Sequence, residues 1–150
     1  ITIAEPDRLI NELPLIDNNY IENFNIGILP SPVGETSLEN AIITNNVIKH
    51  CFNALSIWGD KSEKNIQTNG IIFSKNIIEC AYSTGNFAID IINYSSPKIS
   101  NIQITNNLIY NIPKETERDY SGICAGNGVR NLSIKGNSFI NITIVLFHNF

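Results

Sequence analysis

The chain has 150 residues, with 10 lysines and arginines against 14 aspartates and glutamates and a formal net charge of −4. This length allows one domain with a hydrophobic core, and the acidic balance argues against a nucleic-acid-binding protein, which would need a basic face. No apolar run approaches the roughly 18 residues of a membrane-spanning helix, so we expect no membrane span.

Isoleucine and asparagine dominate the composition, with 29 and 23 copies. Isoleucine is stiff at χ1 and favours strands. Asparagine tolerates left-handed backbone and forms hydrogen bonds within turns. Long amphipathic helices would need more leucine, alanine, glutamate and lysine than this chain offers. The composition therefore predicts an all-β protein of short strands and tight corners.

One phrase recurs along the chain and is clearest at residues 102–111, I-Q-I-T-N-N-L-I-Y-N. Its second asparagine marks successive copies at intervals of 27, 30, 31 and 30 residues: Asn19, Asn46, Asn76, Asn107 and Asn137. A nearly constant period in this range indicates a repeat array.

The first 14 residues contain the turn Glu5–Asp7 and resemble the end of a preceding repeat. Each later repeat is predicted to hold three strands and a loop. The first strands lie at 15–17, 41–44, 71–74, 102–105 and 132–135, and the second at 20–22, 47–49, 77–79, 108–110 and 139–140. The third lie at 25–29, 54–58, 88–92, 122–125 and 142–146, with loops at 30–40, 59–70, 93–101 and 126–131 rich in Gly, Pro, Ser and charge.

Equivalent strands recur once per repeat in the same direction, so they should pair in parallel and form three sheets. We expect inward side chains to stack, with Ile102/Ile104 against Leu132/Ile134, and Ile26/Ile28 against Leu55/Ile57 and Ile89/Ile91. The marker asparagines should form a ladder that satisfies buried backbone groups at the corner. A second, less regular ladder is expected four residues later, at Asn23, His50, Cys80, Asn111 and Asn141.

The three cysteines, Cys51, Cys80 and Cys124, do not indicate a disulfide framework. Cys51 and Cys80 fall in adjacent repeats but in registers that differ by one, so their side chains should diverge. No Cys/His cluster has the spacing of a zinc site. The sequence therefore predicts neither a disulfide nor a metal or other cofactor.

These I-x-I-x-N-N-x-I-x-N phrases, which cover about residues 15–150, resemble the right-handed parallel β-helix proteins, similar to pectate lyases and their relatives. The resemblance implies a solenoid of three parallel sheets with about five coils. We interpret residues 1–150 as a single β-helix domain and expect it to be part of a longer chain. The fold hosts lyases, hydrolases, epimerases, phage tailspikes and adhesins, so it does not by itself identify the function.

The resemblance further implies that substrate lies along the sheet of third strands. By alternation its outward positions are Gly27, Ser56, Asp90 and Cys124, with Trp58 outward at the end of its strand. A polysaccharide site needs aromatic faces for sugar rings and carboxylates for acid–base chemistry.

We expect Asp90 and Asp119 to lie one coil apart, a strand spacing of about 4.8 Å with lateral offset, and they are the candidate acid and base. Arg118 is the candidate charge neutraliser of a lyase. Candidate substrate-binding residues are Trp58, Tyr94, Tyr120 and Arg130. No aspartate cluster corresponds to the calcium site that the resemblance to pectate lyases would imply.

Structural roles remain open for the same residues. Asp90 could be a solvated or loop-capping carboxylate, Trp58 could pack under the 59–70 loop, and His50 could replace asparagine in its ladder. The charged run 115–119 could be a solvated loop. Cys124 has no identifiable base that would make it a nucleophile.

We therefore predict a polysaccharide-binding and polysaccharide-degrading module, a lyase or a glycoside hydrolase, at an extracellular, cell-surface or virion-surface location. The alternative is a non-catalytic β-helical shaft or receptor-binding part of a phage tailspike or adhesin, which would be a homotrimer. The sequence leaves open whether the chain is an enzyme.

Overall fold

The asparagine-marked corners separate short strands, each of which pairs with the equivalent strand of the next repeat. The computed structural model describes residues 2–3, 14–30, 37–58, 67–80, 87–92, 99–112, 121–126, 128–142 and 144–148. Within these residues there are strands but no helix. Every strand pairing among them is parallel.

Three parallel sheets coil around one core and form a β-solenoid, a parallel β-helix. Sheet 1 contains β2 (Leu15–Asp17), β5 (Leu38–Glu39), β6 (Ile42–Thr44), β9 (Thr68–Asn69), β10 (Ile72–Ser74), β13 (Ile99–Thr105) and β16 (Arg130–Lys135). Sheet 2 contains β3 (Tyr20–Glu22), β7 (Val47–Cys51), β11 (Ile77–Cys80), β14 (Leu108–Tyr110) and β17 (Ser138–Ile140). Sheet 3 contains β1 (Thr2–Ile3), β4 (Ile26–Pro30), β8 (Asn53–Trp58), β12 (Phe87–Ile92), β15 (Ser121–Ala125) and β18 (Ile144–His148).

The core consists of inward residues that stack from turn to turn. Ile102 and Ile104 lie opposite Leu132 and Ile134, as predicted. Similar columns run through all three sheets, and the following members are fully buried: Ile43, Phe73 and Ile104; Ile48, Ile78 and Ile109; Leu55, Ile89 and Ile123. Parallel strands make these columns because equivalent residues recur at one height on each turn.

The predicted asparagine ladder is confirmed. Asn46 donates from its backbone N–H to Oδ1 of Asn76 at 2.9 Å, and its Nδ2 lies 3.0 Å from the same oxygen. Asn76 contacts Oδ1 of Asn107 in the same way, from its backbone N–H at 2.9 Å and from its Nδ2 at 3.0 Å. The Asn76 Nδ2 also donates to the Ile43 carbonyl at 3.2 Å. Each asparagine thus satisfies main-chain groups that the turn would otherwise bury without partners.

Left-handed backbone explains which residue precedes each ladder asparagine. These positions have φ between 54° and 65° and are occupied by Asn18, Asn45, Lys75, Asn106 and Gly136. Four of these five residues are asparagine or glycine, which adopt this conformation at low cost, and Lys75 is the exception. Gly70 lies at another corner with φ of 72°, where a Cβ would come 2.5 Å from Oδ1 of Asn40.

The predicted register between β4 and β8 was wrong by two residues. Ile28 lies opposite Leu55, and Ile26 lies opposite Asn53. Leu29 therefore shares the outward column of Ser56. The prediction that Gly27 faces outward was wrong: it is buried, and a Cβ there would lie 2.9 Å from the Ala54 carbonyl oxygen and 3.0 Å from Cγ2 of the buried Ile48, so this close approach requires glycine. A two-residue slip preserves the inward–outward alternation, so the sequence pattern could not reveal it.

The second predicted ladder was also wrong at His50. The register shifts beside this residue, so that Cys51, rather than His50, lies opposite Cys80. His50 has φ of 50° and occupies the extra position of a β-bulge. Both cysteine side chains are buried, and no disulfide joins them. The predicted one-residue offset between the cysteines is removed by the bulge.

The predicted loops and strand ends need smaller corrections. Residues 38–39, 68–69 and 99–101 extend sheet 1, although the sequence assigned them to loops. The last strand of sheet 3, β18, is Ile144–His148, whereas the sequence predicted residues 142–146. The turn Glu5–Asp7 and loop residues 31–36, 59–66 and 93–98 lie outside the described residues.

Replacing Asn76 with alanine tests the ladder. Loss of its Oδ1 leaves the buried Asn46 N–H without an acceptor, and loss of its Nδ2 leaves the Ile43 carbonyl without this donor. We expect the free energy of unfolding to fall by about 3 kcal/mol in urea titrations. Asn45→Gly, at the exposed left-handed position of the preceding corner, should change it by no more than about 0.5 kcal/mol. Equal effects of the two substitutions would contradict the ladder's role.

Candidate functional site

The outer face of sheet 3 carries two of the residues predicted to form the site. Asp90 lies opposite Ser56 on one neighbouring strand and opposite Cys124 on the other. Trp58 follows Ser56 by two residues and donates its Nε1–H to Ser56 Oγ at 2.7 Å. The structure thus brings Trp58 and Asp90 onto adjacent strands of one face, with Ser56 next to both.

This row of side chains is more enclosed than its outward direction implied. Ser56 is 1% exposed and Cys124 is 9% exposed, while Asp90 and Trp58 are half-buried. The indole accounts for part of this cover because it is hydrogen-bonded to Ser56 on the same face. A carboxyl group in such a place loses hydration of its charged form.

Burial raises the pKa of Asp90 above its ordinary value, and a hydrogen bond with Cys124 offsets part of that change. Burial and the neighbouring Asp90 charge raise the pKa of the Cys124 thiol to about 11. Cys124 is therefore a protonated thiol at neutral pH and a poor nucleophile. Asp90 is the group of this row best suited to carry a proton for acid catalysis.

The other predicted site residues do not join this row within the described structure. Asp119, Arg118, Tyr94 and Tyr120 lie outside the described residues. Arg130 begins β16 in sheet 1, where it is exposed and lies opposite Ser100. It is therefore on a different sheet from Asp90 and Trp58.

A second polar constellation lies on sheet 2 and was not predicted. Its centre is Glu79, which is 6% exposed and is the only charged residue that is buried among the described residues. Its Oε2 accepts the Tyr110 hydroxyl at 2.6 Å and lies 3.2 Å from Nζ of Lys49. Its Oε1 lies 2.7 Å from Nε2 of His50.

His50 extends this constellation to the preceding turn. Its Nδ1 lies 3.2 Å from Oε1 of Glu22, whose Oε2 accepts the Tyr20 hydroxyl at 3.1 Å. The bulge gives His50 this position between two turns, with a carboxylate at each ring nitrogen. A continuous polar chain therefore crosses four strands of sheet 2 from Tyr20 to Tyr110.

The constellation stabilises the charged form of its central carboxylate. The hydrogen bond from Tyr110 lowers the pKa of Glu79 most, contacts with Lys49 and His50 lower it further, and burial opposes them. The same contacts with Glu79 raise the pKa of Tyr110 and of Lys49. Glu79 is thus an ionised, fully engaged group, unlike Asp90 with its raised pKa.

A shallow apolar groove of about 420 Å³ adjoins Tyr110 on the same sheet. Its floor comes from three successive strands through Ile77, Leu108 and Ile140, with Ile112 beside them. Asn111 and Asn141 complete its lining. The groove is part of the outer face of sheet 2, next to the polar chain.

The polar constellation of sheet 2 was not predicted, although the sequence contains a charge pattern that indicates it. The last outward position of its strands carries Glu22, Lys49 and Glu79 on successive turns, followed by Tyr110 and Ile140. Alternating charge at the repeat period predicts ion pairs between neighbouring strands. The position of His50 had no such signal because it depends on the bulge.

Glu79→Gln tests the polar chain through its pH dependence. Because the pKa of Glu79 is lowered on folding, its carboxylate stabilises the fold above the ordinary glutamate pKa of about 4.3 and loses this effect as the pH falls through the lowered value. We expect the variant to lose about 2 kcal/mol of unfolding free energy near pH 7. Its stability should then fall less steeply than that of the wild type below about pH 4.

Denaturant titrations at several pH values measure both effects. Glu39→Gln, at an exposed carboxylate of sheet 1, is the matched control and should change the unfolding free energy by no more than about 0.5 kcal/mol. An acid limb that is equally steep in Glu79→Gln and in the wild type would show that Glu79 is not stabilised in its charged form.

The described part of the chain contains no helix long and apolar enough to cross a membrane. Within the same residues, no group of three or more His, Cys, Asp or Glu side chains is arranged to hold a metal ion. In comparisons with known proteins, no protein-family model, no curated protein and no solved structure matches the chain.

Proposed function

We propose that this chain is a right-handed β-helix of about five coils that binds and cleaves polysaccharide along the outer face of sheet 3. The observation that carries the proposal is Asp90, a half-buried carboxyl group of raised pKa on the face that also presents Trp58. An acid catalyst must hold its proton until the leaving group needs it, and burial favours that form.

In this proposal Asp90 protonates the glycosidic oxygen of the leaving sugar, and the indole of Trp58 supports a sugar ring. A hydrolase needs a second carboxylate to activate water or to attack the anomeric carbon, and Asp119 has that proposed role. In a lyase, Arg118 would instead neutralise a uronic-acid carboxylate. Tyr94 and Tyr120 are proposed to contact neighbouring sugar units, whereas Arg130, which lies in sheet 1, is not part of the proposed site. Such polymers occur outside cells, and we propose an extracellular, cell-surface or virion-surface location.

The second candidate function is a non-catalytic shaft or receptor-binding segment of a trimeric spike or adhesin. The observation that favours it is the regularity of the interior, where the asparagine ladder continues from Asn19 to Asn137 without interruption. In a solenoid each repeat is stabilised by its neighbours, so an uninterrupted array of this kind suits a shaft. A trimer in sedimentation experiments, together with no depolymerisation of any polysaccharide, would favour this function.

Asp90→Asn decides whether sheet 3 is catalytic. On a panel of neutral and uronic-acid polysaccharides, new reducing ends identify a hydrolase, and ultraviolet absorbance of unsaturated products identifies a lyase. We expect the variant to lower turnover by about 100-fold or more because amide nitrogen cannot replace the acid. Asp17→Asn, at a half-exposed carboxylate of sheet 1, should retain wild-type turnover. Full activity in Asp90→Asn would overturn the assignment.

A further inference from the structure

The bulge at His50 places two buried thiols opposite each other on neighbouring turns. Cys51 of β7 and Cys80 of β11 are partners in the parallel pairing, immediately after the register shift. Each residue is 2% exposed, so both side chains enter the core at the same place on successive turns. Both cysteines are free in the structure. The bulge thus creates a thiol pair that the spacing of the residues along the chain did not predict.

The backbone spacing at this point suits a disulfide. Neighbouring strands of a sheet lie about 4.8 Å apart, and disulfides join Cα atoms that are about 4.4–6.8 Å apart. The preceding residues show that the outer faces of the two strands also meet here, because His50 Nε2 lies 2.7 Å from Oε1 of Glu79. An outward ion pair and an inward thiol pair therefore occupy the same stretch of the two strands.

The Cys51 thiol is held only weakly in its present orientation. Its Sγ donates to the Lys49 carbonyl at 3.4 Å, and a thiol is a weak hydrogen-bond donor. The sulfur lies beside Gly27 of the preceding turn, where an added Cβ would come within 3.3 Å of it. Rotation about χ1 is the movement that redirects Sγ from Gly27 toward Cys80 on the following turn.

The third cysteine is not an alternative partner in the folded chain. Cys124 lies in β15 of sheet 3, on the outward row of Asp90, with which it forms a hydrogen bond. Cys51 and Cys80 point inward from sheet 2. The fold therefore selects one pairing out of the three that these cysteines could form.

We propose that Cys51 and Cys80 are a redox pair that forms a disulfide between neighbouring turns when the chain folds in the presence of a small-molecule disulfide. The bond closes the loop from residue 51 to residue 80, and such a cross-link stabilises a protein mainly by restricting its unfolded chain. It also ties the strand that carries the bulge to the next turn. The inference does not depend on the proposed action on polysaccharide.

The bond forms by two exchange steps. The thiolate of one cysteine attacks the small-molecule disulfide, so a mixed disulfide forms and one reagent thiolate leaves. The thiolate of the other cysteine attacks the protein sulfur of the mixed disulfide, so the Cys51–Cys80 bond forms and the second reagent thiolate leaves. The two protein sulfurs are oxidised, the two reagent sulfurs are reduced, and the two protons of the protein thiols pass to the reagent thiolates.

Burial confines this exchange to the period before the turns close. Both cysteines are almost fully covered in the folded chain. Burial also raises the pKa of the Cys51 thiol, and only the thiolate attacks a disulfide. A small-molecule disulfide therefore reaches these sulfurs in the open chain, and the finished bond is shielded from reductants by the fold.

Refolding of the full chain from denaturant in glutathione buffers tests the pair. After refolding with oxidised glutathione, we expect the denatured protein to titrate one thiol, that of Cys124, where the reduced protein titrates three. A peptide map should join Cys51 to Cys80. Retention of all three thiols, glutathione that stays attached as a mixed disulfide, or a bond to Cys124 would overturn the proposal.

Thermal unfolding shows whether the bond is compatible with the native turns. The oxidised wild type should have a higher Tm than the reduced protein, by about 5 °C or more. Cys124→Ala should keep this difference, whereas Cys80→Ala should have the same Tm in both buffers. If Cys80→Ala does not fold, Cys51→Ala has the same expected result. A bond that fails to raise the Tm of the wild type would overturn the proposal.

Discussion

The turns of this solenoid bend at a ladder of asparagines, and the hydrogen bonds of these side chains hold one turn on the next. The side-chain oxygen of Asn76 accepts the backbone N–H of Asn46, and its amide nitrogen reaches a main-chain carbonyl of the preceding turn. A tight corner buries peptide groups that the sheets themselves do not pair. The ladder satisfies them at the same height on every turn, so the parallel sheets on both sides continue in register.

A regular interior leaves the outer faces able to differ. On sheet 2, Glu79 contacts the Tyr110 hydroxyl, Lys49 and His50, and these contacts lower its pKa. On sheet 3, Asp90 is half-buried beside a thiol, and burial raises its pKa. Two carboxylates on one scaffold therefore have opposite tendencies, one ionised and structural, the other suited to hold a proton. This contrast separates the proposed catalytic face on sheet 3 from the polar chain on sheet 2.

Much of the fold followed from the sequence, whereas little of the candidate site did. The period of the asparagines predicted the ladder, and the alternation of Ile102 and Ile104 predicted their partners. The same alternation misplaced Ile28, since a slip of two residues leaves the inward face unchanged. For the site, alternation correctly put Asp90 and Trp58 on one face, but it implied more exposure than Ser56 has.

The sequence by itself determined the class of the fold, its period and its core, because strands and corners are encoded by local residue preferences that repeat every turn. Only the tertiary structure decided what lies next to what on the outer faces. The bulge at His50 aligns Cys51 with Cys80 and puts the imidazole between Glu22 and Glu79. Such contacts join residues 28 or more positions apart. A single added residue in one strand changes them, and no local preference of the chain records that addition.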